Sequence, residues 1–252
     1  MTGPPASEAT RATGQPRPLV RKTWVYRLIM FLARPLYAMV YRARIVGHEH
    51  VPRTGPVLLA SNHASFLDIP LVAMAVGRRH VGFIARDSLA RSRVLGFIMR
   101  HCGVVLIRRD TSDRAALRLA AEHMRLGDVV AIFPEGTRSA DGGLAVFKRG
   151  ALLAARMAKA PILPCGIRGS FGAWPRTARW PGRGRLELHF GPLIDSSLPD
   201  AFDRLRASIL ALTGQEDHTV GPDSVTEAHA ADPNARHRPR RDGSKPDPTT
   251  PG

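Results

Sequence analysis

The chain has 252 residues, 37 of them Lys or Arg and 21 Asp or Glu, for a formal net charge of +16, and 44% of its residues are hydrophobic. That apolar content can bury a core in one or two domains and excludes wholesale disorder, a collagen-like repeat and a disulfide-stapled miniprotein. The charge suits an anionic membrane surface or nucleic acid, although only four of the bases are Lys, a bias that composition alone can produce.

In chain order, residues 1–18 are rich in Pro, Gly, Thr and Ala, lack the parts of a signal peptide, and read as a disordered tail. The lead that follows, 19–44, is the most apolar stretch, but Arg27, Arg34 and Arg42 interrupt it, and no run is long enough to span a bilayer. Arginines seven apart recur on one side of a helix, with Trp24, Leu28, Phe31, Leu32 and Tyr37 facing elsewhere and Pro35 kinking or splitting the segment. Two readings stay open: an amphipathic helix lying on an anionic bilayer, or a helix packed on the core.

From residue 56, short apolar runs alternate with helical ones. Strands are expected at Val57–Ala60, Val81–Ala85, Val104–Ile107, Val129–Phe133, Ile162–Ile167 and Leu186–Phe190. Helices are expected at Ile69–Val76, Leu89–His101, Asp113–Leu126, Arg149–Ala158 and Ala201–Leu212. The alternation predicts an α/β fold: a largely parallel mixed sheet flanked by helices, with an N-terminal amphipathic, membrane-associated helical segment. In such sheets ligands gather beyond the carboxyl ends of the strands. Residues 216–252 hold seven acids, five bases and six prolines but almost no large apolar residue, and read as a second disordered tail. Cys102 and Cys165, with no CxxC pair, fit a reducing cytoplasmic setting and read as core residues.

Four stretches carry chemistry. After the first strand of this region, His63 precedes Asp68 by five residues, a spacing that would point them apart on a continuous helix. The chain must turn between them. Asp68 reads as the N-cap of the next helix, its carboxylate curling back to fix the imidazole tautomer and leave the other nitrogen free as a general base. The second stretch, Phe133-Pro134-Glu135-Gly136-Thr137-Arg138-Ser139, follows the most convincing strand and offers close backbone approach, hydroxyls and a planar guanidinium suited to phosphate. The third is Gly103 to Asp110, a strand ending in Arg108 and Arg109, and the fourth is Ala160 to Cys165, an apolar strand bracketed by prolines. No P-loop, helix-turn-helix, zinc-finger or RNP-type signature is present, so nucleic acid is not expected as a partner. His48 and His50 lack a third ligand at recognisable spacing, and no metal is expected.

Together these blocks, in this order within residues 62–165, resemble the 1-acylglycerol-3-phosphate acyltransferase (lysophosphatidic acid acyltransferase) family: NHxSxxD, G-x-x-x-I-x-R, FPEGTRS and a proline-flanked apolar block. Phe147-Lys148-Arg149-Gly150 resembles the FKxG that usually follows, while Ala64 stands where Gln or Arg is common and Arg108 where Asp often precedes the motif arginine. The resemblance implies transfer of a fatty acyl group from acyl-CoA or acyl carrier protein to the free hydroxyl of 1-acylglycerol-3-phosphate. It implies His63 as base and Asp68 as its orienting partner, with no cofactor beyond the thioester co-substrate. Arg109, Glu135, Gly136, Thr137 and Arg138, with Arg108 and Lys148 beside them, would hold the acceptor's phosphate and glycerol. Glycerol-3-phosphate or another lysolipid as acceptor, or a basic membrane- or nucleic-acid-binding protein without activity, stay as alternatives. The implied layout is an interfacial segment at 19–44, an acyltransferase domain at 45–215 and a tail at each end, peripheral or monotopic at the cytoplasmic face of the membrane.

Overall fold

A computed structural model describes residues 23–77, 79–86, 93–102, 104–107, 113–148 and 150–218. Seven strands form one sheet: β1 (Arg44–Val46), β2 (Val57–Ser61), β3 (Val81–Arg86), β4 (Val104–Ile107), β5 (Val129–Ile132), β6 (Ile162–Arg168) and β7 (Glu187–Phe190). Their order across the sheet is β1-β7-β6-β2-β5-β3-β4, and every neighbouring pair is parallel except β6 with β7. The mixed, largely parallel α/β sheet expected from the alternation is the one present. Strand β1 was not expected; its three residues carry no apolar run, and it forms by pairing with β7.

The sheet is covered on both faces, which is why β2 reads as a continuous apolar run. Alternate residues go to opposite sides: Val57 and Leu59 pack into one cluster, Leu58 and Ala60 into the other. The first cluster is roofed by α1 (Trp24–Val40), through Tyr26, Met30 and Tyr37, and by α2 (Asp68–Ala75), through Leu71, Val72 and Ala75. The second is roofed by α4 (Asp113–Arg125), α5 (Gly150–Ala158) and α7 (Ala201–Thr213), which contribute Met124, Ala155, Leu205 and Ile209. Two further helices complete the order, α3 (Arg93–His101) and the single turn α6 (Ser170–Ala173), which no sequence pattern announced. Residues 89–92 and 149, expected to be helical, lie outside the described residues.

Within the lead, Trp24–Val40 form one helix. Thr23 caps it, its side chain accepting the Tyr26 N–H at 3.1 Å, and Pro35 lies inside without ending it. Helix α1 has a buried face and an exposed one. Val25, Tyr26, Met30 and Tyr37 are buried, so Tyr37 belongs to the core and not with the outward residues, while Trp24, Phe31 and Met39 are 74%, 73% and 80% exposed, with Leu28, Leu32 and Leu36 beside them. No helix among the described residues is long and apolar enough to cross a membrane.

The folded unit also reaches further than expected. Glu216–His218, assigned from sequence to the tail, lie against the loop after β5: the Leu144 N–H donates to the Glu216 carbonyl at 3.0 Å, and Asp217 pairs with Arg206. The buried Arg206 guanidinium, which also donates to the Ala145 carbonyl at 2.8 Å, explains the order, because a buried cation requires a counter-charge.

Candidate active site

The parallel pairing of β2 with β5, Ala60 opposite Ile132, brings two motifs 72 residues apart to one edge of the sheet. Each strand ends there, and the loops that follow carry His63 and Glu135. The two loops are joined through the backbone of His63. Its N–H donates to Glu135 Oε1 at 2.7 Å, and its carbonyl accepts the Ser139 N–H at 2.7 Å. Asn62 closes the other side: its side chain exchanges two hydrogen bonds with the backbone of Ile167 on β6, at 2.8 and 2.9 Å, and donates to Gln215 at 3.0 Å.

His63 and Asp68 meet across a turn. His63 Nδ1 lies 2.8 Å from Asp68 Oδ2, and the same oxygen accepts the Ala64 and Ser65 N–H groups, each at 2.8 Å. Asp68 was expected to be the N-cap of the helix that follows and is instead the first residue of α2, while its carboxylate curls back onto the preceding loop as expected. The cause is that loop's own unpaired amides, which offer donors to a carboxylate fully removed from water. Because a carboxylate can only accept, His63 Nδ1 is the donor in this bond, and Nε2 is the ring nitrogen left for other partners. The ring is held from a third direction by Phe133, stacked on it with centroids 4.0 Å apart and planes 17° apart. Phe133 is a positioning residue that sequence reasoning missed, although it is the first letter of the FPEGTRS block. The His63 side chain keeps 13% of its surface exposed, so the site is open to a substrate.

Glu135 was expected among the residues that hold the acceptor, beside Arg138. Its carboxylate is instead buried, with Oε1 on the His63 N–H and Oε2 on the Ala145 N–H at 3.0 Å, and among the described residues it makes no ion pair with Arg138. Burial pushes its acid up to about 7, against the pull of the two amide hydrogen bonds. Its work in this fold is to hold the loops together. Gly136 follows in the left-handed region, at φ +75°, and a Cβ there would lie 2.8 Å from Lys148 Nζ. The left-handed turn favours glycine, and the end of the Lys148 side chain folds over it.

Arg138 is half-buried, its guanidinium carbon 3.6 Å above the centre of the Phe66 ring. Thr137 is exposed on the same turn. Arg108 and Arg109 lie outside the described residues. Burial pushes the thiol of Cys102 up to about 11 and that of Cys165 up to about 12, so neither is a ready nucleophile. Among the described residues no three metal-ligating side chains cluster, and His48 and His50 lie on a short 3₁₀ turn.

Known proteins resemble this chain in the same region. Residues 42–168 match the family described as Acyltransferase. The 1-acyl-sn-glycerol-3-phosphate acyltransferase alpha of Ovis aries is 30% identical over 221 residues, covering 81% of this chain and 76% of that protein. A chloroplastic 1-acyl-sn-glycerol-3-phosphate acyltransferase of Brassica napus is 33% identical over 166 residues, covering 63% of this chain, which spans only 47% of the plant protein. The crystal structure of the 1-acyl-sn-glycerophosphate acyltransferase PlsC from Thermotoga maritima superposes with a TM-score of 0.64 at 26% identity, covering 73% of this chain and 76% of that one. The chain therefore belongs to the acyltransferase family that includes the 1-acyl-sn-glycerol-3-phosphate acyltransferases.

Proposed function

We propose that this protein transfers a fatty acyl group from an acyl thioester, carried by CoA or acyl carrier protein, to the free hydroxyl of 1-acylglycerol-3-phosphate, giving phosphatidic acid. The observation that carries the reading is the His63–Asp68 pair, with Nδ1 2.8 Å from a buried carboxylate, an arrangement that leaves Nε2 of the neutral imidazole to take a proton. In the reaction, Nε2 takes the hydroxyl proton as the acceptor oxygen attacks the thioester carbonyl. The tetrahedral intermediate collapses with cleavage of the C–S bond, and the imidazolium returns its proton to the departing sulfur. The thioester is already activated, so no enzyme nucleophile, metal or further cofactor is part of the proposal. Asp68 stabilises the imidazolium and fixes the ring.

The exposed apolar stripe of α1 supports work at a membrane surface. A water-insoluble acceptor and product fit that placement, with Arg27 and Arg34 on the same helix offering charge to anionic headgroups, and we place the protein at the cytoplasmic face. The test is release of CoA from acyl-CoA in the presence of 1-acylglycerol-3-phosphate. His63→Ala should lower the rate by about 10²–10⁴ while leaving vesicle binding intact, and full retained activity would overturn the mechanism.

A further inference from the structure

Strand β6 lies beside β2, Cys165 opposite Ser61, so the chain leaving β6 arrives at the same edge as His63. It turns through α6 into a short loop closed on itself: the Ala178 N–H donates to the Pro175 carbonyl at 3.0 Å, and Trp174 Nε1 donates to the Ala178 carbonyl at 3.1 Å. Trp174 also packs edge-on against Phe66, with centroids 5.7 Å apart. Phe66 is the ring beneath Arg138. The loop therefore reaches the rim on which Arg138 stands, and it carries the exposed Arg176 two residues beyond Trp174.

We propose that Arg176 joins Arg138 in a two-guanidinium cradle for the phosphate of the acceptor. Neither arginine has a carboxylate at ion-pairing distance among the described residues. Two unpaired like charges at one rim repel, and a bound dianion turns that repulsion into attraction. Each guanidinium also offers a planar fork that matches phosphate oxygens. Burial first, and then the charge of Arg176, make the Arg138 guanidinium easier to deprotonate, with the Asp68 carboxylate acting the other way. Arg138 lies over its aromatic ring, whereas Arg176 is exposed to solvent. The pair would select acceptors with a terminal phosphomonoester over neutral monoacylglycerols.

This inference rests on the acyl-transfer reading above, and two sources of phosphate, acceptor and CoA, must be told apart. Full-length protein in uncharged detergent micelles, with labelled acyl-CoA, is assayed against 1-acylglycerol-3-phosphate and monoacylglycerol. Arg176→Ala should raise KM for 1-acylglycerol-3-phosphate about tenfold with kcat nearly unchanged, the mark of a lost binding contact. KM for acyl-CoA and any rate with monoacylglycerol should stay as in the wild type, and Arg176→Lys should recover part of the loss. An unmoved KM for 1-acylglycerol-3-phosphate overturns the proposal, as does a rise confined to acyl-CoA. If the wild-type protein acylates no phosphorylated acceptor, the acyl-transfer reading fails and this one falls with it.

Discussion

Glu135 Oε1 accepts the backbone N–H of His63 at 2.7 Å, and this bond fastens the loop after β5 to the loop that carries the proposed base. Its partner oxygen reaches Ala145, further along the loop after β5, so one carboxylate both braces that loop and ties it to the loop of His63. Glu135→Gln would place an amide NH₂ against one of two N–H donors, leaving a donor unmet at a cost of about 1–3 kcal/mol. We expect a lower unfolding midpoint in urea and a fall in kcat larger than any change in KM, with Glu135→Ala lower still in both. A variant with wild-type kcat would show that the tie is dispensable.

The same carboxyl makes stability depend on pH. Its acid is raised from 4.5 to about 7 in the folded protein, so between those values the folded state binds more protons than the unfolded one. Stability from this group is therefore greatest below about pH 4.5 and declines as pH rises to about 7, above which it is constant. Urea unfolding at pH 5, 6 and 7.5 should show that decline, superposed on the other titrations, and Glu135→Gln should flatten the difference. An equal slope in the variant would remove Glu135 as its source.

Phe133 stacks on the His63 ring and limits its rotation. Phe133→Leu keeps an apolar side chain while removing the flat surface, a contact worth about 0.5–1.5 kcal/mol. The expected outcome is up to a tenfold lower kcat in the acyl-transfer assay with little change in thermal midpoint. Unchanged kcat would mean that the Asp68 bond suffices to orient the ring.

Helix α1 should separate membrane binding from stability residue by residue. Replacing Trp24, Phe31 and Met39 together by Ser removes exposed apolar surface, and should weaken binding to anionic phospholipid vesicles in a flotation assay without lowering the thermal midpoint. Met30→Ala instead opens a hole under the helix and should destabilise by about 2–5 kcal/mol. Removing the whole helix would confound the two effects, because Tyr26, Met30 and Tyr37 belong to the core.

Gly166 lies on β6 where α7 crosses closely; a Cβ there would come within 2.5 Å of Leu212 Cβ. Gly166→Ala should destabilise by about 1–3 kcal/mol through overpacking, measured as a lower midpoint in thermal unfolding. Neutrality would mean that α7 can shift away at no cost.

By itself the sequence determined the alternation of strands and helices, the near-continuous apolar runs of a sheet covered on both faces, and the need for a turn between His63 and Asp68. Those features follow from local periodicity and spacing, which neighbours in the chain express directly. What only the tertiary structure decided is which groups meet. Pairing of β2 with β5 turned Glu135 from an expected acceptor contact into a buried tie on His63, because a side chain's environment depends on strands far apart in sequence. The stack of Phe133, the approach of Trp174 to Phe66 and the order of Glu216–His218 against Leu144 arise in the same way. The two faces of α1 show the same division: periodicity revealed an apolar helix with its arginines recurring on one side, and packing alone chose which apolar residues hold the core and which are left exposed.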